Sequence, residues 1–232
     1  MTEDLVAANR ILVNEGVLDA YGHVSLRHPA NPGRYLLGRN LAPALVSAAD
    51  IVEYDLDSEP IGAPASVAHF FERFIHGEIY RARPDVNAVV HSHSPAVIPF
   101  SVTEWPLRPL YHMSSFLYPG VPVFEIREAG GMTDMLIGNR ELGRALAKVL
   151  GDKNVALMRG HGNVVVAGTL PMAVFRAVYT EVNARLQAQT IALGGPINFL
   201  APEEGEKAMR VLENIHLRAW DIWKRTALKD AR

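Results

Sequence analysis

Apolar residues begin at helical spacing. Leu5, Val6, Ala8, Ile11 and Leu12 fall on one face, and Gly16 follows where a helix end favours glycine, so a helix is expected over residues 3 to 15. The period then changes. Gly22-His23-Val24-Ser25-Leu26-Arg27 alternates as a half-buried strand does, Pro29-Ala30-Asn31-Pro32-Gly33 reads as a turn, and Arg34 to Gly38 as a second strand. These two predict an antiparallel hairpin, with Ile51 to Leu56 as a third strand of the same sheet. Helical periodicity returns from Pro64 to Arg83 and stops at Pro84; Asn87 to His93 is strand-like.

A further helix is expected over Arg140 to Leu150. Val155 to Met158 and Val164 to Ala167 are apolar, β-branched-rich runs joined by Arg159-Gly160-His161-Gly162-Asn163, a spacing that allows a hairpin. Two long helices, Pro171 to Leu193 and Glu203 to Ala227, close the pattern, whereas Thr103 to Thr133 has no clear period. Hairpins with helices before and after them predict an α/β fold, a mixed, largely antiparallel central sheet flanked by helices. With no repeat, linker or low-complexity tract, residues 1–232 are expected to form a single domain.

Composition narrows the function classes. The chain is 49% hydrophobic and 21% charged, with a net charge of −2, which gives no electrostatic reason to expect nucleic acid or an anionic membrane surface as partner. The absence of cysteine excludes disulfides, thiolate metal ligands and a cysteine nucleophile, so any metal must sit on nitrogen and oxygen. No apolar run approaches the ~18 residues of a membrane helix. The acidic start, Met1-Thr2-Glu3-Asp4, lacks the basic and apolar segments of a signal peptide, and a cytoplasmic location is expected.

The sharpest local feature is Val89-Val90-His91-Ser92-His93. Residues two apart on a strand share a face, so His91 and His93 can present two imidazoles side by side. His161 sits between Gly160 and Gly162, where missing side chains permit close backbone approach and unusual dihedrals. Glu72 lies four residues before His76 on the expected helix. Taken singly these read as a surface histidine pair, a turn residue and a solvated carboxylate. Together they supply three imidazoles and a carboxylate, a donor set suited to a catalytic divalent ion that keeps an open position.

Glu72-Arg73-Phe74-Ile75-His76, Arg83-Pro84-Asp85-Val86-Asn87-Ala88, the Ala88-Val89-Val90-His91-Ser92-His93 strand and Gly160-His161-Gly162 stand in the order and spacing of one known group. Over roughly residues 5 to 195 the chain resembles the class II aldolase/adducin family. The resemblance implies the class II aldolase/adducin-like fold, with His91, His93 and His161 holding one divalent metal ion per subunit and Glu72 as acid/base near it. It further implies a homotetramer with active sites between subunits, which Tyr111 and His112 could reach from a neighbour.

Departures from the sugar-phosphate aldolases bear on substrate. Where those enzymes cradle a phosphate, this chain has Phe70-Phe71 before Glu72, Gly38-Arg39-Asn40 after the hairpin and His23 after Gly22. Phenylalanine offers no donor to phosphate, whereas arginine can pair with a carboxylate. The substitutions resemble the branch that decarboxylates ortho-hydroxy aromatic carboxylates, such as pyridine dicarboxylates of vitamin B6 breakdown and dihydroxyphthalates. That branch implies a small aromatic hydroxycarboxylate substrate, manganese foremost with zinc or cobalt as alternatives, and Glu72 or His23 as proton donor. Arg39, Ser92 and Phe71 are the expected substrate contacts. His69 and His76 are expected to be satisfied locally on their helix and His216 to be an ordinary position on the last one. A metal-dependent aldolase acting on an unphosphorylated hydroxy-acid or sugar is the alternative, followed by a non-catalytic adducin-like interaction domain.

Overall fold

The computed structural model describes residues 1–229. Among these, the strands β1 (His23–Arg27), β2 (Arg34–Gly38), β3 (Ile51–Asp55), β4 (Pro60–Ile61), β5 (Ala88–Ser92), β6 (Val123–Phe124), β7 (Val155–Met158) and β8 (Gly162–Ala167) form one sheet. Its order is β4-β3-β2-β1-β5-β8-β7-β6. All pairs are antiparallel except β6 with β7. The helices are α1 (Thr2–Asn14), α2 (Phe74–Ala82), α3 (Ile98–Ser101), α4 (Ile126–Gly130), α5 (Arg140–Leu150), α6 (Leu170–Leu193), α7 (Pro202–Ile215) and α8 (Leu217–Lys229).

Both faces of the central strands are buried, which explains why β5, β7 and β8 read as continuous apolar runs. Alternate residues nevertheless enter different cores. Ala88, Val90, Val155, Leu157 and Val165 join a cluster with α1, α6 and residues of α7 and α8. Val89, Ala156, Met158, Val164 and Val166 join a second cluster with Ile75 and Ile79 of α2 and Leu142, Leu146 and Leu150 of α5. Side-chain parity along β5 therefore sends His91 and His93 toward the α2 side and Ser92 toward the α6 side.

Two expected helices differ. Pro64 to Phe70 is not helical; Val67 N–H closes a turn onto Pro64, and Ala68 C=O accepts from Asn40 N–H at 2.9 Å, so hydrogen bonding to the loop after β2 replaces a helical turn. Glu72 consequently sits in a short 3-10 turn, Phe71–Arg73, at φ −89° and ψ 19°, just ahead of α2. At the other end, one expected helix is two, α7 and α8, parting at His216. That ring is buried and hydrogen-bonds back to Glu213 C=O at 3.0 Å, a local side-chain bond of the kind that loosens a helical ladder.

The irregular stretch acquires order from α6. Asn183 accepts from Leu110 N–H and the Ser114 hydroxyl and donates to Arg108 C=O, while Gln187 accepts from Arg108 N–H and donates to Pro106 C=O. Thr169 caps α6 by accepting from Met172 N–H, and Pro171 occupies its first turn.

Candidate metal centre

The centre assembles where three central strands begin or end. His91 is the penultimate residue of β5, His93 follows that strand, and His161 precedes β8. β1 lies on the other side of β5 and pairs His23 with His91. The two glycines around His161 have separable roles. Gly160 adopts φ +62°, a left-handed conformation that side chains disfavour, and a Cβ on Gly162 would collide with Ser92 C=O. The tight loop that delivers His161 to the β5 histidines thus depends on both.

Tautomers follow from the outer partners. His91 Nδ1 is 3.2 Å from Asn163 C=O and His161 Nδ1 is 3.1 Å from Met135 C=O. A carbonyl only accepts, so both rings carry hydrogen on Nδ1 and turn the Nε2 lone pair inward. His93 Nε2 lies 3.1 Å from His161 Nε2, and Glu72 Oε2 lies 3.5 Å from Nε2 of both His91 and His161. One donor atom from each of the four residues falls within 4.8 Å of the others.

Donors bound at about 2.1 Å to a tetrahedral ion stand about 3.4 Å apart, so this spacing is that of a divalent-metal site. His91 Nε2 is decisive for the fit: it is fully buried and has no hydrogen-bond partner among the described residues. Such an orphan is costly unless something electrophilic meets it.

Burial raises the Glu72 carboxyl, but the close imidazoles of His161 and His91 overcome that and hold it below the usual carboxylate range. Its other oxygen accepts from Ile137 N–H at 2.9 Å, which fixes its rotation. Burial lowers His161, yet Glu72 raises it more. His93 is pushed down to about 4 by burial and by its neighbours His91 and His161.

A cleft of about 600 Å³ opens beside the cluster, and Glu72, His23 and His93 line it together with Phe70, Phe71 and Asn40. Phe71 was expected here. Phe70 and Asn40, noted in the sequence beside Phe71 and Arg39, line it as well, whereas Tyr21 and Leu136 join the wall without having been singled out, because the turns that carry them have no periodic signal.

The remaining expected contacts lie elsewhere. Arg39 Nε donates to Asp50 at 2.6 Å, and the cleft is lined by Asn40 rather than Arg39. Ser92 faces β8 and donates to Asn163 Oδ1 at 2.9 Å. Tyr111 and His112, expected at a neighbouring subunit's site, do not line the cleft of their own chain. His69 is not on a helix and bonds the Tyr54 hydroxyl. His76 is not satisfied by its own helix either; its partners are His23 and Ser25, more than 50 residues away in sequence.

Comparison with known proteins decides the family. Residues 3–188 match the model of the class II aldolase and adducin N-terminal domain. The chain belongs to this family. This family member is 39% identical to decarboxylase tropJ of Talaromyces stipitatus, covering 95% of this chain and 91% of that protein. It is 33% identical to 3,4-dihydroxyphthalate decarboxylase of Arthrobacter keyseri, over 85% and 82% of the two chains. Among solved structures, L-fuculose 1-phosphate aldolase of Glaciozyma antarctica superposes with a TM-score of 0.80 at 25% identity, over 98% of this chain and 88% of that one.

The α/β fold with its largely antiparallel sheet is therefore that of the class II aldolases. Decarboxylases at such identity over most of both chains make this family member a carboxy-lyase. Among the described residues, no helix is long and apolar enough to cross a membrane.

Proposed function

We propose that this enzyme is a divalent-metal-dependent decarboxylase of an ortho-hydroxy aromatic or pyridine carboxylate or dicarboxylate. One observation carries the reading: three inward imidazole nitrogens and a fixed carboxylate stand beside a cleft walled by Phe70 and Phe71. Aromatic walls suit a flat ring, and phenylalanine gives a phosphate no hydrogen bond. The dihydroxyphthalate decarboxylases among its relatives support the same substrate class.

In this reading His91, His93 and His161 hold the ion and Glu72 borders it. A bound divalent ion, manganese foremost with zinc or cobalt as alternatives, supplies positive charge to the ring oxygen that receives the electron pair when the carbon–carbon bond breaks. Glu72, ionised at neutral pH, takes the proton of the ring hydroxyl as substrate binds. It returns that proton to the ring carbon bearing the carboxylate. The pair of the breaking bond then flows to the ring oxygen as carbon dioxide leaves, and the oxygen regains a proton from water. His23 and Phe71, both in the cleft wall, contact the ring. Exposed Tyr21 and Phe71 in the cleft wall support a homotetramer whose subunits cover the site, an expectation that the mass in solution tests.

The test is carbon dioxide release from a panel of ortho-hydroxy aromatic carboxylates by chelated enzyme resupplied with manganese, zinc or cobalt. Metal-dependent release supports the proposal. Silence across the panel with metal still bound favours the second reading, an aldolase acting on an unphosphorylated hydroxy-acid or sugar, for which the superposition on fuculose phosphate aldolase speaks. A non-catalytic adducin-like role leaves the convergent donors without a purpose.

A further inference from the structure

A buried chain of hydrogen bonds leads from the cleft into the core. His23 Nδ1 lies 2.6 Å from His76 Nε2, His76 Nδ1 lies 2.6 Å from Ser25 Oγ, and Ser25 Oγ lies 2.7 Å from the Tyr80 hydroxyl. All four residues are buried. The register that joins them is simple: His23 and Ser25 are alternate residues of β1, and His76 and Tyr80 are one turn apart on α2. Only the first of the four lines the cleft, where the Phe70 ring packs on it with centroids 4.6 Å apart.

Each link holds one hydrogen, and all of them could run either way. The Tyr80 end decides the direction. Among the described residues Ser25 is the one acceptor its hydroxyl meets, since Val89 offers its oxygen only a backbone N–H, and a buried hydroxyl hydrogen left unpaired costs far more than a spare lone pair. Tyr80 therefore donates to Ser25, Ser25 donates to His76 Nδ1, and His76 donates from Nε2 to His23 Nδ1. A neutral His23 whose Nδ1 accepts carries its hydrogen on Nε2. The hydrogen bond of His23 to the protein is made through Nδ1, and the ring lines the cleft.

We propose that Tyr80, Ser25 and His76 are positioning residues that set the Nε2–H tautomer of His23 from inside the core, so that His23 presents the cleft with a neutral hydrogen-bond donor. Its complement is an acceptor-only group, a carboxylate or ring oxygen of the substrate, and a ligand with an amine at that place would set donor against donor. The substrate half of this inference rests on the aromatic carboxylate reading; the tautomer half does not.

The experiment uses zinc-loaded protein with nitrogen-15 histidine, in which long-range proton–nitrogen spectra report which ring nitrogen of His23 bears hydrogen. Salicylate serves as the binding probe. Wild type is expected to show hydrogen on Nε2, and Ser25→Ala a mixture of tautomers with salicylate affinity about tenfold weaker, the effect of one neutral hydrogen bond. Ser25→Thr should restore both. Tyr35→Phe is the control: that ring stacks near His76, but its hydroxyl bonds Ser58 and Arg73 C=O instead, and the His23 spectrum should not move. If Ser25→Ala does not fold, Tyr80→Phe, which keeps the ring, carries the same expectation of mixed tautomers. Hydrogen on Nδ1 in wild type, or an unchanged tautomer in both Ser25→Ala and Tyr80→Phe, overturns the proposal. A wild type that shows Nε2–H but binds no salicylate defeats the substrate reading and leaves the tautomer chain standing.

Discussion

Two sets of buried polar side chains flank the central sheet, and they are built on opposite logic. On α6, Glu181, Asn183 and Gln187 are almost wholly buried, and each is matched by partners in the 94–114 segment. On the other face, His91 is as deeply buried, yet its Nε2 meets no partner and the neighbouring imidazoles turn lone pairs toward the same point. Burial of a polar group thus says little about function. An unmet hydrogen-bonding capacity, held open by carbonyls that fix the tautomer, says much more.

The largest expected effect breaks the open set. His91→Ala should lower bound metal from about one ion per chain to almost none and reduce kcat/KM on the order of a thousandfold or more, read by metal analysis and carbon dioxide release. The melting temperature of the chelated protein should hold or rise, because an orphaned nitrogen is removed. An active, metal-replete variant would sink the ligand assignment. The matched set should behave in reverse. Asn183→Ala strips partners from Leu110 N–H, the Ser114 hydroxyl and Arg108 C=O, and should cost about 3 kcal/mol, a Tm fall on the order of 10 °C, with metal still bound. Lost metal with unchanged stability would erase the contrast between the two faces.

Legibility in the sequence divides along the same line. Alternation in β1 and the apolar runs of β2 and β5 identify these strands, and the two-residue period of a strand places His91 and His93 on one face. The same parity sends Ser92 to the opposite face, where it bonds Asn163. The glycine-flanked His161 was visible because its constraint is local. What was not visible depends on contacts between distant residues. The 103–133 stretch is ordered by Asn183 and Gln187, some 70 to 80 residues away, and residues 64–70 lose their helix to a bond with the loop after β2. His76 likewise looked like a helix position, and only the packing of α2 on β1 reveals its link to His23.

Acidity sharpens the comparison at a smaller scale. Burial and the charge of His91 push His76 down to about 3, burial and neighbouring imidazoles drive His23 well below its ordinary 6.5, and His93 falls to about 4. Between these values and 6.5 the unfolded chain binds protons that the folded chain refuses, so stability is fully present above pH 6.5 and drains as pH falls toward the folded values. His161, raised by Glu72 against its burial, pulls the other way, but it is one ring against three. The chelated protein should melt on the order of 5 °C lower at pH 5.5 than at pH 7.5. His76→Asn should flatten that slope, whereas Asn183→Ala, which removes no titrating group, should leave it parallel to wild type. Equal slopes in all three would show that the acid sensitivity lies outside the imidazole face.

The smallest expected effect concerns a residue between these two kinds of environment. Arg39 is half exposed and its Nε is occupied by Asp50, whose carboxyl is drawn to about 2 by Ser47 and Arg39. An exposed pair of this sort is satisfied where it stands, so nothing pulls the guanidinium toward the cleft. Arg39→Ala should therefore change KM for an aromatic dicarboxylate by less than about threefold, while Asn40→Ala, at the wall itself, should raise it more. A rise of tenfold or more in Arg39→Ala, absent for a monocarboxylate, would mean that the arginine leaves Asp50 when a second carboxylate arrives. Arg39 would then differ from both sets, as a group whose partner in the resting fold only holds the place of the substrate.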